Sequence, residues 1–245
     1  YAEYQARFFT GANSNKPTNF VIPGLAQKDN YIPQGMTYWA AKEWILISAY
    51  YNGTGKPSLI YALDAKTTNM VAVFTLYNQN GTINTAHGGG IAASEYNFYY
   101  ADSASDVAYI PLSEFDVPAG TAKNVTIKGK IDLSGELNGV STSYVCYSDG
   151  VLWTGNFYWS GDDNYKKTWT GTYPSVLIGY KLKGNSSAEE WANLQNTNLI
   201  VPSETTNATN GALTYSVDGN EHGYIDLTNT TSADGSSELT YNFGT

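Results

Sequence analysis

An all-β fold, specifically a β-propeller of four repeated blades, is what this sequence predicts. Three observations carry that expectation. A unit of short strand-type segments recurs along the chain. Turn residues separate those segments, and helical periodicity is confined to one short stretch. The composition is apolar and aromatic with few charges: 42% hydrophobic, 14% aromatic, 14% charged, and 21 tyrosines in 245 residues. Such a chain buries a core, because disorder needs low hydrophobicity and high charge.

The first unit reads "IPQGMTYWAAKEWILISAYY", then "PSLIYALDA" after a loop. The second reads "GGGIAASEYNFYYADS" followed by "SDVAYIPLSEF", and the third "NGVSTSYVCYSDGVLWTGNFY" followed by "PSVLIGYKLKG". The last is "NGALTYSVDGNEHGYIDLTNT" followed by "SSELTYNFGT". Each opens with Gly and a small-apolar segment, makes a turn, and continues into β-rich sequence. A segment then starts with Ser and centres on Tyr61, Tyr109, Tyr180 or Tyr241, with Leu63, Leu112, Leu182 or Phe243 shortly after it. The first three units add an outer strand: "NMVAVFTLYN", "NVTIKGKIDL" and "NLIVPSE". Four strands per unit is the pattern of a propeller blade. The expected blades are 33–78, 88–133, 138–203 and 208–245. "SSAEEWANLQ" (186–195) is the one expected helix, with Ser at its N-cap and acids in its first turn.

The fourth unit lacks an outer strand. "TNFVIPGL" near the start resembles "TNLIVPSE", so residues 18–23 are expected to complete blade four and close the ring, leaving 1–17 as an arm. Closure removes an unpaired strand edge. Two alternatives stand beside it: a fifth blade, or completion of a neighbouring molecule by that strand, which would build a fibre or surface layer.

The motifs "YIPQGMTYW…WILISAYY…PSLIYALDA", "HGGGIAAS" and "YSDGVLWTGNFY…PSVLIGYKL" resemble a family of secreted β-propeller proteins known from bacterial and fungal sequences. The resemblance covers roughly residues 18–245. It implies a propeller and secretion, and it brings no catalytic residue with it.

Composition excludes several classes of partner. A net charge of −9 argues against nucleic acid, which needs clustered Lys and Arg, and against anionic membrane surfaces. No apolar run approaches the ~20 residues of a membrane span; "WILISAYY" is strand-length. The single cysteine, Cys146, permits no intrachain disulfide and reads as a small buried hydrophobe. The lone cysteine by itself fits a cytosolic protein, but a composition rich in Asn, Thr, Ser, Gly and Tyr and poor in Lys, Arg and Glu points outward. No signal peptide is present, and the chain opens on Tyr rather than Met, so removal of an N-terminal segment is expected. An extracellular location is therefore expected.

In a propeller the inner strands line the axis, and their entries share one face. Those entries are Gln34-Gly35, His87-Gly88-Gly89-Gly90, Asn138-Gly139 and Asn210-Gly211. Gln34, His87, Asn138 and Asn210 would ring the axis mouth as ligand-binding side chains. His87 would serve as a base, paired with Asp102 or Asp226 at the ends of second strands, if the protein were a hydrolase or lyase on sugars or lactones. No metal set accompanies it, because the other entries supply amides, and His222 falls on a hairpin. "HGGG" lacks the Lys and following helix of a phosphate loop and the nucleophile elbow of a lipase. No cofactor is expected. The aromatic insertion "GNFYWSGDDNYKKTWTGTYP" makes Tyr158, Trp159 and Trp169 candidates for carbohydrate stacking, as in a lectin. Six glycosylation sequons, at Asn52, Asn80, Asn124, Asn185, Asn207 and Asn229, fall on expected loops or edges. The favoured expectation is a secreted, non-catalytic propeller glycoprotein that binds extracellular glycans, proteins or copies of itself.

Overall fold

The computed structural model describes residues 30–102, 106–132, 142–155, 177–195, 199–200, 212–217, 220–231 and 237–243. The fold is all-β, with one α-helix among the described residues and four sheets, none closed on itself.

The first sheet is an antiparallel meander of β1 (Tyr31–Trp39), β2 (Trp44–Tyr51), β3 (Leu59–Asp64) and β4 (Met70–Tyr77). Each reversal has a local cause. A 3-10 turn at Ala40–Lys42 ends on Glu43 in the left-handed region (φ 54°), and β2 begins at the next residue. Between β3 and β4, the Asp64 carboxylate accepts the N–H groups of Lys66 and Thr67 and the Thr67 hydroxyl, which closes an Asx turn.

The second sheet pairs β5 (Ile91–Ala93), β6 (Asn97–Asp102), β7 (Asp106–Pro111) and β9 (Gly129–Asp132). Here "NVTIKGKIDL", expected as one outer strand, divides. Its first half belongs to β8 (Thr121–Thr126), which joins the first sheet parallel to β4, Ala72 opposite Thr121 through Tyr77 opposite Thr126. The switch occurs between consecutive residues: Ile127 N–H donates to Tyr77 of the first sheet, and Lys128 N–H to Tyr109 of the second. Val125 and Ile127 are both buried in the core between the two sheets, so the strand cannot leave the first sheet sooner.

The third sheet pairs β10 (Tyr144–Ser148), β11 (Val151–Gly155), β12 (Leu177–Lys181) and β13 (Leu199–Ile200), with the expected helix, α1 (Ser187–Gln195), before β13. The fourth is a meander of β14 (Ala212–Val217), β15 (Asn220–Thr231) and β16 (Ser237–Phe243). Residues 1–23, including the expected closing strand, lie outside the described residues.

The first three sheets stack face on face. One core lies between the first and second, where Leu46, Ile60 and Phe74 meet Ile91, Phe98 and Ile110. Phe115 caps it with edge or tilted contacts to Phe74 and Phe98, ring centroids 4.7 and 4.9 Å away. A second core joins Tyr99, Ala101 and Val107 to Val145, Leu152 and Tyr180. Each fully buried large side chain contributes about 1.5–3 kcal/mol. A third cluster, Ile47, Ala49, Tyr61 and Leu63, lies on the first sheet alone.

The four signature tyrosines do occupy the third strand of each sheet. Their facing differs from a simple repeat. Tyr61 points away from the second sheet, Tyr180 points into the core shared with the second sheet, and Tyr109 packs on that same core from the other side. A one-residue register offset moves a side chain to the opposite face, which is why the aligned letters do not align in space.

A pH dependence follows from two surface carboxylates. Glu114 accepts a hydrogen bond from Lys123 Nζ at 3.0 Å and lies 3.4 Å from Lys128 Nζ. Lys123, and secondarily Lys128, hold its carboxyl below the usual range, and the Thr67 and Lys66 N–H groups do the same for Asp64. A depressed folded value means stability that is present above the unfolded value and lost as pH falls through the folded one. Thermal melts in acid should therefore fall less steeply for the double variant Asp64→Asn/Glu114→Gln than for the parent chain; parallel curves would contradict this.

Candidate functional site

The His87–Gly90 segment enters β5 between β1 and β10, the first strands of the two flanking sheets. An added Cβ on Gly90 would lie 2.3 Å from Val145 N and 2.6 Å from Tyr144 Cα; on Gly89 it would lie 2.3 Å from Ser143 O. From the opposite side, Gly35 of β1 sits so that a Cβ would be 3.1 Å from Ile91 N. These three strands thus approach until backbone meets backbone, which only glycine permits. Gly88 has φ 63°, and a side chain there would also strike the Tyr100 ring at 2.4 Å.

Buried hydroxyls and amides stitch this junction. Ser48 Oγ accepts the Gly35 N–H at 2.9 Å and donates to Gly88 O at 2.8 Å, tying the first sheet to the glycine loop. Asn84, buried, is the second knot. Its Oδ1 accepts from the Ala86 N–H and the Tyr100 hydroxyl, and its Nδ2 donates to Asn78 Oδ1 and to Asp102 Oδ1 at 3.2 Å. Tyr100 is fully buried; burial, and secondarily the Asp102 charge, push its hydroxyl pKa far up, so it stays a neutral donor.

Asp102 is 3% exposed and forms an ion pair with Lys130 of β9. Its carboxylate is thereby spent on Lys130 and Asn84. His87 is exposed, and its ring stacks on Tyr50 with centroids 4.0 Å apart. Gln34 is exposed near the same end of the first sheet, where its amide donates to Pro33 O. Asp226 lies on β15 opposite Ala212 and Asn242, and His222 on the same strand opposite Tyr215. Asn138, Asn210, Tyr158, Trp159 and Trp169 lie outside the described residues; β10 begins at Tyr144, beyond Asn138-Gly139. Cys146 is exposed on β10 rather than buried: its neighbour Val145 faces the core, and successive positions on a strand alternate between faces. Among the described residues no group of three His, Cys, Asp or Glu could hold a metal.

A second polar centre carries no signature in the sequence. Glu190 of α1, 3% exposed, accepts from Ser94 Oγ at 2.6 Å, Asn97 Nδ2 at 2.9 Å and Tyr99 Oη at 2.8 Å. Ser187 Oγ donates to Asn97 Oδ1, and Trp191 stacks on Tyr109 at 4.0 Å. A helix inserted in the third sheet is thus bolted to the second. The acids of "SAEE" read as dipole partners in the sequence, and Ser186 Oγ does accept the Glu189 N–H as an N-cap. The clue available was that Ser94, Asn97 and Tyr99 all need partners once buried.

The two site residues should separate sharply on substitution. Asp102→Ala takes the acceptor from one N–H of the buried Asn84 amide and removes the lysine's partner, and should cost about 2–4 kcal/mol. His87→Ala, at an exposed stack, should cost less than about 1 kcal/mol. Urea midpoints measure both; equal losses would refute this division of labour.

No family model matches the chain, and no curated protein does. Among solved structures, the extracellular domain of a one component system from B. thetaiotaomicron is similar at 10% identity with a TM-score of 0.31. The match covers 89% of this chain and 33% of that one, so the chain spans about a third of its length. Among the described residues no helix is long and apolar enough to cross a membrane.

Proposed function

We propose that the four sheets are blades of a β-propeller, and that the protein is a secreted, glycosylated, non-catalytic module that binds extracellular glycans or proteins. The observation that carries this reading is the commitment of Asp102. Of the two carboxylates the sequence offers as partners of His87, the one with a described side chain, Asp102, is buried in an ion pair with Lys130 and a hydrogen bond from Asn84. A general base must reach substrate, and this one is held inside the fold. The sequon asparagines Asn52, Asn80, Asn124 and Asn185 are all exposed, so the folded chain has room for a glycan at each.

Expression through a eukaryotic secretory pathway tests the glycoprotein half. Intact mass should fall on enzymatic deglycosylation, and an unchanged mass would remove it. A panel of glycosides and lactones tests the rest. No turnover is expected; turnover abolished by His87→Ala in a folded protein would replace this reading with an enzymatic one.

A further inference from the structure

Asp102 is closed to substrates from outside, but not to the groups buried beside it. Its two oxygens serve different partners. Oδ2 pairs with the Lys130 amine, and Oδ1 accepts the Asn84 side-chain N–H at 3.2 Å. Topology brings the three together. Tyr100, Ala108 and Lys130 are successive cross-strand partners on β6, β7 and β9, so they share the face of the second sheet that meets the first. Asp102, two residues after Tyr100 on β6, lies on that face too. Asn84 arrives from the connection between the two sheets, where its main-chain N–H donates to Leu76 O and its main-chain carbonyl accepts the Ser58 N–H. Asn84 and Asp102 are 2% and 3% exposed, so water competes little for their polar atoms.

The Asn84 amide is held in one orientation. A main-chain N–H can only donate, so the Ala86 N–H at 3.1 Å fixes Oδ1 on its side. That leaves Nδ2 facing Asp102 Oδ1 and Asn78 Oδ1. The Tyr100 hydroxyl lies 3.0 Å from Asn84 Oδ1 and 2.8 Å from Ala86 O, and can turn to either. Two donors therefore converge on the oxygen where negative charge develops when a nucleophile attacks Asn84 Cγ. A plain ion pair needs no such arrangement. Here one carboxylate stands between an amine and an amide, with donors already placed on the amide oxygen.

We infer that Lys130 and Asn84 form an amide crosslink within the folded chain, with Asp102 carrying the protons. In an apolar surrounding the ammonium passes one proton to Asp102, because the neutral pair costs less to bury than the charged one. The freed lone pair of Lys130 Nζ attacks Asn84 Cγ, and the Ala86 N–H and Tyr100 hydroxyl hold the charge that forms on Oδ1. Collapse re-forms the carbonyl and breaks the Cγ–Nδ2 bond. The proton held by Asp102 leaves on Nδ2, a second proton from Nζ follows it, and the group departs as ammonium. The Asp102 carboxylate is restored, and no oxidant, water or cofactor enters the balance. The Lys130 side chain is 35% exposed, which gives the ammonium a path to solvent. The bond closes residues 84–130, with β5 to β8 between them, into a loop. In a chain with one cysteine it takes the place of a disulfide, removing freedom from the unfolded state. The inference does not depend on the propeller reading or on any external ligand.

Mass spectrometry of the full chain, produced without glycosylation, tests this. The intact mass should fall short of the sequence mass by one ammonia. Trypsin should leave the bond after Lys130 uncut and release one branched peptide that joins the Asn84 and Lys130 segments. Lys130→Arg keeps a positive charge beside Asp102 and removes the nucleophile, so the folded variant should recover its full sequence mass. Asp102→Asn should do the same, because the proton carrier is gone. A parent chain at its full sequence mass would overturn the inference. So would a deficit of one water with Lys130 joined to Asp102, which makes the carboxylate the acceptor and leaves Asn84 a bystander. An ammonia deficit confined to a linear peptide, as cyclisation at an Asn-Gly step gives, would also overturn it. A crosslink that persists in Asp102→Asn would remove the role given to Asp102. None of these results bears on glycosylation or on binding, so the proposed function stands or falls separately.

Discussion

Gly90→Ala is expected to be the most damaging single-methyl change in the described chain. The new Cβ would sit 2.3 Å from Val145 N and 2.6 Å from Tyr144 Cα, both backbone atoms of the neighbouring strand β10. No rotamer change relieves such a clash, so β5 and β10 must part. Overpacking in a core usually costs about 1–3 kcal/mol. This case should reach at least about 3 kcal/mol, because the obstacle is main chain and both flanking cores depend on the spacing. For a chain of this size that lowers the melting temperature by roughly 6–12 °C. Gly55→Ala is the useful control. Its φ of 79° disfavours a side chain, but an added Cβ meets nothing within 4 Å. That substitution should cost only about 1–2 kcal/mol, the backbone term alone. Equal losses would mean that the close approach of β5 and β10 at Gly90 costs no more than an ordinary backbone term.

Glu190→Ala should have the next largest effect. Three donors, on Ser94, Asn97 and Tyr99, lose their common acceptor inside the protein. Leaving one buried donor unsatisfied costs about 1–3 kcal/mol, and breaking a buried charged centre about 3–5 kcal/mol. A loss of about 3–5 kcal/mol in urea unfolding is expected. Tyr99 should report the change directly: burial, and secondarily the Glu190 charge, push its hydroxyl far above the usual tyrosine range. Glu190→Gln keeps an acceptor, and the Ser94 and Tyr99 hydroxyls can rotate, so about half the stability should return. Trp191 fluorescence distinguishes release of α1 from global unfolding, since Trp191 stacks on Tyr109 only while the helix is docked. A loss below about 1 kcal/mol for Glu190→Ala would show that the stacked ring, and not the carboxylate, holds the helix.

The sequence showed its architecture through local signals that survive in the structure. Alternation and turn residues placed the strands of all four sheets, and Ser186 marked the helix start. What escaped was everything decided by which face a residue takes. "NVTIKGKIDL" reads as one strand because its alternation is continuous; that Ile127 and Lys128 bond to different sheets is a tertiary fact. Tyr61 and Tyr109 align as letters and point to opposite sides because register is set by pairing, not by composition. At the site, His87 drew notice as a rare residue, whereas the junction is held by Ser48 and Asn84, ordinary residues whose burial no local pattern reveals. Asp102 was visible as a strand-end acid, but its partner Lys130 lies two strands away in the sheet and was not.

The central claim is that β1, β5 and β10, the first strands of three successive sheets, touch through their glycines, and that this contact, with the polar residues around it, is structural. Nuclear Overhauser spectroscopy on the intact chain reads the contact directly. Strong cross-peaks are expected from a Gly90 α-proton to the Val145 amide proton and from a Gly35 α-proton to the Ile91 amide proton, because these protons occupy the space a side chain would need. Their presence in the parent chain, and the loss of the first in Gly90→Ala, is the predicted result. A folded protein in which both cross-peaks are absent would contradict the stacking of the sheets and the structural role assigned to the glycine loop.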